Sequence, residues 1–160
     1  MHRVYLDIGS NLEPEKNIPL AIKLLCEVGG ITEVSSAWET ESVGYAGPNF
    51  LNVCVLLNTQ LDAEQVKYEI NRPIEAKMGR IRGGNKNAPR PIDIDIVLFD
   101  ETPHNVQTWD QAFVVVPLSE LLPEFKTPGG ERLSDFAKQL QGRVWMRKRE
   151  DILTESKMAQ

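Results

Sequence analysis

The chain has 160 residues, of which 41% are hydrophobic and 26% are charged, and its formal net charge at pH 7 is -5. This length suits one domain with a sizeable core, and the acidic charge argues against a general nucleic-acid-binding protein, although it is compatible with a local basic pocket for one nucleotide. No apolar stretch is long enough to span a membrane, and the N-terminus runs into a strand pattern without the apolar region of a signal peptide.

The first part of the chain predicts a strand followed by a helix. Residues 3–9 alternate apolar and polar side chains, and Gly9-Ser10-Asn11 ends that strand with turn-forming residues. A helix is predicted to begin within residues 14–18, because apolar side chains then recur at helical spacing, and to stop at Gly29-Gly30.

Two further strands are predicted next. Residues 31–41 form the second strand, which a loop rich in glycine and proline over residues 42–49 separates from a third strand over about 50–58. In the third strand, Phe50 and Asn52 share one face with Cys54, while the opposite face is entirely apolar.

Asp62 and Gln65 have the spacing of a capping box and predict the start of a second helix, which Pro73 should kink and which ends near Gly79. A glycine-rich basic loop over residues 80–90 leads into a fourth strand. Short helical pieces are predicted around residues 118–123 and 131–141.

The order strand, helix, strand, strand, helix, strand predicts an α+β fold. Specifically, we predict a ferredoxin-like β-α-β-β-α-β sandwich, with an antiparallel sheet that has helices on one face and the active site on the other. Residues 1–160 are predicted to form a single domain, with about 143–160 as a C-terminal appendage.

The two cysteines, Cys26 and Cys54, show neither the spacing of a metal site nor a disulfide framework. Cys26 falls in a helical pattern and Cys54 in a strand pattern, so we expect both to be small core residues. Because unpaired cysteines are typical of a reducing compartment, we expect a cytoplasmic protein.

The fourth strand holds the strongest signal for a functional site. Asp93 and Asp95 are two residues apart and should share one face, while the other face is apolar and comprises Ile92, Ile94, Ile96 and Leu98. Two neighbouring carboxylates repel each other, a divalent cation would remove that repulsion, and Arg90 suits an anion such as phosphate. A half-buried strand with a solvated acidic face is the alternative.

Several segments occur in an order and spacing that match one family: Ile8–Leu12, Phe50–Asn52, Ile74–Glu75 with Gly79–Arg82, Pro89–Ile96, and Phe113 with Pro117–Leu118. With these segments, residues 3–125 resemble the 6-hydroxymethyl-7,8-dihydropterin pyrophosphokinases. These folate-pathway enzymes transfer the β,γ-pyrophosphoryl group of ATP to a pterin alcohol and release AMP. The segment Pro89–Ile96 is specific to that family, whereas Gly-Ser-Asn alone would be a weak signal.

The resemblance implies a role for individual residues. Asp93 and Asp95 would hold two Mg²⁺ ions that bridge the phosphates of ATP, the co-substrate. The implied catalytic residues are Arg80, Arg90, Asp93 and Asp95. The implied ATP-binding residues are Glu75, Arg82, Arg90, Ile96 and His104. The implied pterin-binding residues are Thr40, Val43, Gly44, Phe50, Asn52 and Phe113.

Some positions depart from the family's pattern. Asn87 stands where a tryptophan often closes over the substrates, Gln111 stands where an ATP-contacting arginine is frequent, and the connection over residues 100–113 is short. These departures affect contacts to ATP and to the closing loop, so we expect weaker nucleotide affinity before any loss of chemistry.

Other functions stay open on the sequence alone. The main alternative is a non-catalytic or weakened relative that binds a pterin or a nucleotide. A phosphate hydrolase is disfavoured by the Gly9-Ser10-Asn11 turn, which lacks a phosphate-cradling run, and an RNA-binding domain is disfavoured by acidic residues on the sheet face. We expect small-molecule substrates only, no nucleic acid or membrane partner, and a monomer.

Overall fold

The computed structural model describes residues 1–42, 46–81 and 88–154 of the chain. Its strands are β1 His2–Ser10, β2 Gly30–Val34, β3 Ala37–Thr40, β4 Phe50–Thr59, β5 Asp93–Phe99, β6 Thr102–Pro103 and β7 Met146–Arg149. Its α-helices are α1 Pro14–Val28, α2 Ala63–Gln65, α3 Arg72–Lys77, α4 Ala112–Leu121 and α5 Leu133–Gln141, with a π-helical segment at Val66–Asn71 and a 3₁₀ turn at Val106–Thr108. None of the helices in these ranges is both long and apolar enough to cross a membrane.

The strands form one sheet in the order β6-β5-β1-β4-β3-β7, and β2 pairs with β4 beside β3. Every pairing is antiparallel, and β1 is central because it pairs with β4 on one side and β5 on the other. The predicted order of strand, helix, strand, strand, helix and strand is found over residues 2–99. The α+β class is therefore confirmed.

The predicted second strand is divided into β2 and β3 by two serines, Ser35 and Ser36. The side chain of Ser35 is buried, and its Oγ accepts a hydrogen bond of 2.9 Å from the backbone N–H of Cys54. That N–H would otherwise be available to a backbone carbonyl of the neighbouring strand. The serine side chain thus competes with the strand ladder, which is how such residues interrupt regular structure.

One face of the sheet, which we call the first face, is covered by α1 and by the helical segments from Ala63 to Lys77. Four side chains of α1 at helical spacing are fully buried there, as predicted: Ile18, Ala21, Ile22 and Leu25. They pack on alternate residues of the three central strands, such as Leu6, Val53 and Ile94. This alternation produces a continuous apolar layer beneath the helices.

The opposite face, which we call the second face, is also partly covered by helices, whereas the sequence predicted helices on one face only. There α4 and α5 pack over part of the sheet, against Tyr5, Cys54 and Leu56. The reason is that α4 is apolar almost throughout, with Val114, Val115, Val116 and Leu118 all buried, so both the sheet and α5 must cover it. It also begins at Ala112, before the predicted helical piece near residue 118.

A β-bulge in β5 moves one predicted core residue to the other face. Leu6 of β1 pairs with Ile96, whereas the preceding Tyr5 pairs with Leu98, so Val97 is an extra residue in β5. Leu98 was predicted on the isoleucine face, and it instead belongs to the core of the second face. The two aspartates precede the bulge, so their predicted common face is unaffected.

The predicted capping box is confirmed. The backbone N–H of Gln65 donates to Asp62 Oδ1 at 2.8 Å, and the N–H of Asp62 donates to Gln65 Oε1 at 3.0 Å. The predicted irregularity at Pro73 takes the form of the π-helical segment before it, because proline offers no N–H to an α-helical ladder. The helix therefore changes its hydrogen-bonding pattern without breaking.

The prediction for the cysteines was right for one of them and wrong for the other. Cys54 is buried beside Leu56 in the core of the second face. Cys26 is exposed, because it follows Leu25 and so lies outside the buried stripe of α1. Neither cysteine forms a disulfide.

The C-terminal segment that we expected to be an appendage contributes the edge strand β7, which pairs with β3. Arg149 fastens it: its Nη1 donates to Glu39 Oε1 at 2.8 Å, and its Nε and Nη2 donate to Asp151 at 2.9 and 2.8 Å. Arg147 also reaches Glu39 Oε1, at 3.0 Å, but its side chain is 60% exposed against 18% for Arg149.

These contacts predict different losses of stability for the two arginines. We expect Arg149→Ala to lower the free energy of unfolding by about 1–2 kcal/mol, because several charge-assisted hydrogen bonds are lost at a half-buried site. Arg147→Ala is the matched control and should cost less than about 0.5 kcal/mol, because its ion pair is exposed. Urea unfolding of both variants measures the difference, and equal losses would contradict the anchoring role of Arg149.

Candidate active site

The uncovered end of the second face holds a cavity of about 300 Å³, which we call the first cavity. The strand register builds it, because Asp7 of β1 pairs with Asp95 of β5, and Gly9 pairs with both Asn52 and Asp93. The start of α4 closes the other side with Phe113. Its lining includes eight of the residues implied as substrate contacts or metal ligands: Thr40, Phe50, Asn52, Arg90, Asp93, Asp95, Ile96 and Phe113.

A second cavity of about 300 Å³ lies beside the first and shares Asp95 and Ile96 with it. Its other lining residues are Lys67, Asn71, Arg72, Ile94, His104 and Asn105. Ile96 and His104 were implied as ATP-binding residues, and they do lie together here. Sequence reasoning gave no role to Arg72 or to the residues from the π-helical segment. The sequence signal for this irregular helical segment was Pro73, which follows Arg72.

Asn52 is held at the floor of the first cavity. Its Nδ2 donates to both carboxylate oxygens of Asp7, at 3.2 Å each, while its Oδ1 is buried and has no hydrogen-bonding partner within the described structure. Gly9 is required beside it, because a Cβ at that position would lie 2.8 Å from Asn52 Nδ2. The Gly-Ser-Asn segment thus contributes a close approach as well as a turn.

Asp7 is a third aspartate of this site, and sequence reasoning gave it no role there. It is 7% exposed, and burial raises the pKa of its carboxyl well above the usual value, with a further rise from the negative charge of Asp95. The hydrogen bond from Asn52 opposes that rise but is the smaller effect. The alternation of β1 was the signal, since Asp7 interrupts the sequence of small or apolar side chains expected in a central strand.

Asp93 lies between two arginines. Arg80 contacts it through Nη1 and also reaches the carbonyl oxygen of Ile92 at 3.2 Å, while Arg90 Nη1 lies 3.4 Å from Asp93 Oδ2. Both predicted catalytic arginines therefore contact Asp93, although Arg80 lines neither cavity. Guanidinium groups in such positions are well suited to bind phosphate oxygens.

Glu75, implied as an ATP-binding residue, is buried next to Arg80 and lines neither cavity. Its Oε2 accepts a hydrogen bond of 2.8 Å from the backbone N–H of Ile94 and lies 3.4 Å from Arg80 Nη1. In this position Glu75 fixes both the start of β5 and the guanidinium of Arg80.

Asn11 holds the backbone at Arg90, where the basic loop leads into β5. The backbone N–H of Arg90 donates to Asn11 Oδ1 at 2.5 Å, and the N–H of Asn11 donates to the carbonyl oxygen of Arg90 at 3.1 Å. The turn after β1 therefore positions the residues that precede Asp93. Four residues named from the sequence, Val43, Gly44, Arg82 and Asn87, lie outside the described residues.

The acidic residues fit one kind of metal site and not another. Within the described ranges, no three histidine, cysteine or acidic side chains converge as in a closed metal centre. A magnesium ion that also binds substrate phosphates needs only one or two protein carboxylates, because phosphate and water oxygens complete its shell. Asp93 and the exposed Asp95, beside Arg90 at the cavity rim, have the donor chemistry for that second kind of site.

The burial of Asp7 predicts a stability that falls with rising pH. Because its folded pKa is raised above the unfolded value, the folded state keeps a proton that the unfolded state has lost, so stability falls from about pH 4 up to the folded pKa. Asp7→Asn removes this loss. We expect its advantage over the parent chain in urea unfolding to widen between pH 4.5 and 7.5, by at most about 1.4 kcal/mol per pH unit. A difference independent of pH would contradict this prediction.

Comparisons with known proteins agree on one family. Residues 5–123 match the model of the family described as 7,8-dihydro-6-hydroxymethylpterin-pyrophosphokinase (HPPK). The chain is 36% identical over 135 residues to a 2-amino-4-hydroxy-6-hydroxymethyldihydropteridine pyrophosphokinase of Porphyromonas gingivalis, which covers 75% of this chain and 90% of that protein. It is 32% identical over 158 residues to the protein of the same name from Bacillus subtilis, with 90% of each covered.

Solved structures show the same fold at lower identity. The crystal structure of Plasmodium falciparum HPPK-DHPS wild type with pteroate matches with a TM-score of 0.68 and 14% identity over 89% of this chain. This chain spans 43% of that longer one, and the likeness concerns the fold alone. Since the family model covers most of the chain and the curated relatives exceed 30% identity, the chain belongs to the 7,8-dihydro-6-hydroxymethylpterin-pyrophosphokinase family.

Proposed function

We propose that the protein transfers the β,γ-pyrophosphoryl group of ATP to the hydroxymethyl group of 6-hydroxymethyl-7,8-dihydropterin, with release of AMP, in folate biosynthesis. Membership of the family supports this reaction. The observation that carries it is that Asp95 lines both cavities. A group transfer needs its donor and acceptor side by side at a charge-neutralising centre, and two adjoining cavities with a shared carboxylate meet that need.

The first cavity is the proposed pterin site. Phe50 and Phe113 offer aromatic surfaces to a planar heterocycle. Asn52 Oδ1, which has no partner among the described residues, can accept a hydrogen bond from the N–H edge of that heterocycle. Thr40 lines the same cavity. The resemblance adds Val43 and Gly44 to the proposed pterin contacts.

The second cavity is the proposed nucleotide site. Lys67 and Arg72 bring two positive charges to it, which suits a triphosphate, and His104 lies in its exposed wall. Ile96 is shared with the pterin site. The resemblance adds Arg82 as a phosphate contact and Glu75 on the nucleotide side, where its bond to the N–H of Ile94 supports a positioning role.

Asp93 and Asp95 are the proposed ligands of two Mg²⁺ ions. When bound, such ions neutralise the phosphate charge and orient the attacking hydroxyl. Arg80 and Arg90 meet Asp93 from two sides, and the same guanidinium groups would bind phosphate oxygens and stabilise charge on the transferred group. Phe113 and Asn52 would hold the pterin with its hydroxymethyl group toward Asp95.

The remaining features of the proposal concern the molecule as a whole. The strand order β5-β1-β4-β2, antiparallel throughout, supports a ferredoxin-like arrangement within a single domain that comprises residues 1–160. The free cysteines suit a reducing cytoplasm. We propose a monomer whose partners are ATP and the pterin.

The test is to mix purified protein, ATP, Mg²⁺ and 6-hydroxymethyl-7,8-dihydropterin and to follow AMP and the pterin diphosphate. The expected result is AMP in equal amount to the pterin diphosphate, dependent on both the metal and the pterin, because attack of the pterin hydroxyl at the β-phosphorus breaks the bond to the α,β-bridging oxygen and releases AMP. Formation of ADP or free phosphate would overturn the proposal in favour of a kinase or a hydrolase. Binding of both ligands without AMP would identify a non-catalytic relative.

Replacement of the shared carboxylate should remove the activity and keep the fold. We expect Asp95→Ala to lower the rate of AMP formation by about 100-fold or more, because one charge-stabilising group is lost at the reacting phosphate. Asp95 is exposed, so the thermal unfolding temperature should change little. Asp135→Ala, which removes an exposed aspartate from α5, is the control and should keep the parental rate. Parental activity of Asp95→Ala would refute the metal-site assignment.

Loss of an aromatic wall should weaken pterin binding selectively. We expect Phe113→Leu to raise the Kd for the pterin about tenfold, because ring stacking is lost, and to change the Kd for ATP less than about threefold. Phe125→Leu is the matched control, since that ring packs on Trp109 and lines neither substrate cavity. Equal weakening of both ligands by Phe113→Leu would argue against a pterin contact.

A further inference from the structure

The amide of Asn52 is fixed by protein atoms on one side only. Nδ2 is held 3.2 Å from each oxygen of the Asp7 carboxyl, and Oδ1 has no partner in the described part of the chain although it is buried. Asn52 as a whole is 3% exposed and lines the first cavity. A buried carbonyl without a donor is costly, so a ligand that supplies an N–H there gains affinity.

An asparagine amide has nearly the same shape in its two flipped orientations, and hydrogen bonding decides between them. Here the hydrogen bonds to Asp7 set the orientation of the Asn52 amide. Nδ2 lies 3.2 Å from each oxygen of Asp7, and an ionised carboxyl, which only accepts, attracts the NH₂ group and repels the amide oxygen. A protonated carboxyl still keeps one oxygen that accepts only. Gly9 leaves room for this contact, because a Cβ at that position would lie 2.8 Å from Asn52 Nδ2.

We propose that Asp7 is a positioning residue that sets the ligand specificity of the first cavity by turning Asn52 Oδ1 toward the bound heterocycle. This inference rests on the proposed pterin site. It assigns the cavity to planar heterocycles with an N–H or amino donor on the contacted edge, and it disfavours analogues with a carbonyl oxygen at that place.

A purely structural role explains Asp7 less well. The side chain is 7% exposed and lies across the sheet from Cys54 on one side and Asp95 on the other. An apolar side chain of similar size would fill that space without the repulsion from Asp95, because replacing buried charged groups with well-packed apolar ones is often neutral or stabilising. The carboxyl is therefore best explained by what it does to Asn52.

The experiment compares the binding of two ligands that differ at one edge. These are 6-hydroxymethylpterin and 6-hydroxymethyllumazine, in which a carbonyl oxygen replaces the 2-amino group. Ligand fluorescence titration gives a Kd for each with the parent chain, and the parent should prefer the pterin. In Asp7→Ala the amide is free to turn and offer Nδ2 to the lumazine carbonyl, so the preference should fall by about tenfold or more. An unchanged preference in Asp7→Ala would overturn the inference.

Two further variants separate positioning from packing and from charge. Cys54→Ala disturbs packing next to Asp7 and leaves the bond to Asn52, so it should keep the parental preference even if the protein melts earlier. Asp7→Asn keeps an oxygen acceptor but adds an NH₂ group that can donate to Asn52 Oδ1 after the Asn52 amide turns, so its preference should lie between those of the parent and Asp7→Ala. A preference in Asp7→Asn stronger than that of the parent would overturn the hydrogen-bond account, because an acceptor-only carboxyl should fix the orientation of the Asn52 amide more strongly than an amide does.

The same titration distinguishes this inference from the proposed function. If the parent chain binds neither ligand, or prefers the lumazine, the pterin site itself is refuted. If the parent prefers the pterin and Asp7→Ala does so equally, only the role of Asp7 is refuted. Asp7→Leu, which fills the space with apolar atoms, gives the same comparison should the alanine variant unfold.

Discussion

The antiparallel register of β1 with its two neighbours is the constraint on which the site depends. Because Asp7 is opposite Asp95 and Gly9 is opposite both Asn52 and Asp93, three carboxylates and one amide meet beside a glycine on one face of three strands. A slip of one residue would turn each of these side chains into the helix-covered core and bring apolar ones to the cavity. The apolar layer beneath α1 therefore holds the polar groups in place, since burial of Leu6, Val53 and Ile94 enforces that register.

The three aspartates of the site, Asp7, Asp93 and Asp95, have different surroundings. Asp93 meets two guanidinium groups, and Asp95 is exposed on the wall shared by the two cavities. Asp7 is bonded to a neutral amide and is buried, and burial together with the negative charge of Asp95 raises the pKa of its carboxyl. Charge is thus concentrated where phosphates would bind and is suppressed where an uncharged ring would bind. One sheet face can in this way serve an anionic donor and a neutral acceptor at neighbouring positions.

Much of the fold could be predicted from local patterns. The short-range signals were strand alternation, the buried stripe of α1 and the Asp62 capping box. The structure contains each feature that these signals predicted. Alternation also brought Phe50 and Asn52 to the face of Asp93 and Asp95. The pairing of β7 with β3 and the packing of α4 depend on contacts between distant segments, which no local pattern encodes. The inward position of Glu75 was also not predictable from a local pattern, because its partner is the backbone N–H of Ile94 in another element.

The places where pattern reasoning failed lie close to the site. The extra residue Val97 lines the first cavity, the π-helical segment supplies Asn71 to the second, and Ser35 bonds to the N–H of Cys54, the residue paired with Asp7. Regular strands and helices present their side chains at fixed intervals, and a site that must bind two different ligands needs positions between those intervals. The bulge supplies Val97 to the first cavity and the wider helical turn supplies Lys67 and Asn71 to the second, while the strand break at Ser35 lies next to the residue paired with Asp7. The irregular segments are thus explained by the chemistry of the face they surround, whereas the regular segments are explained by burial.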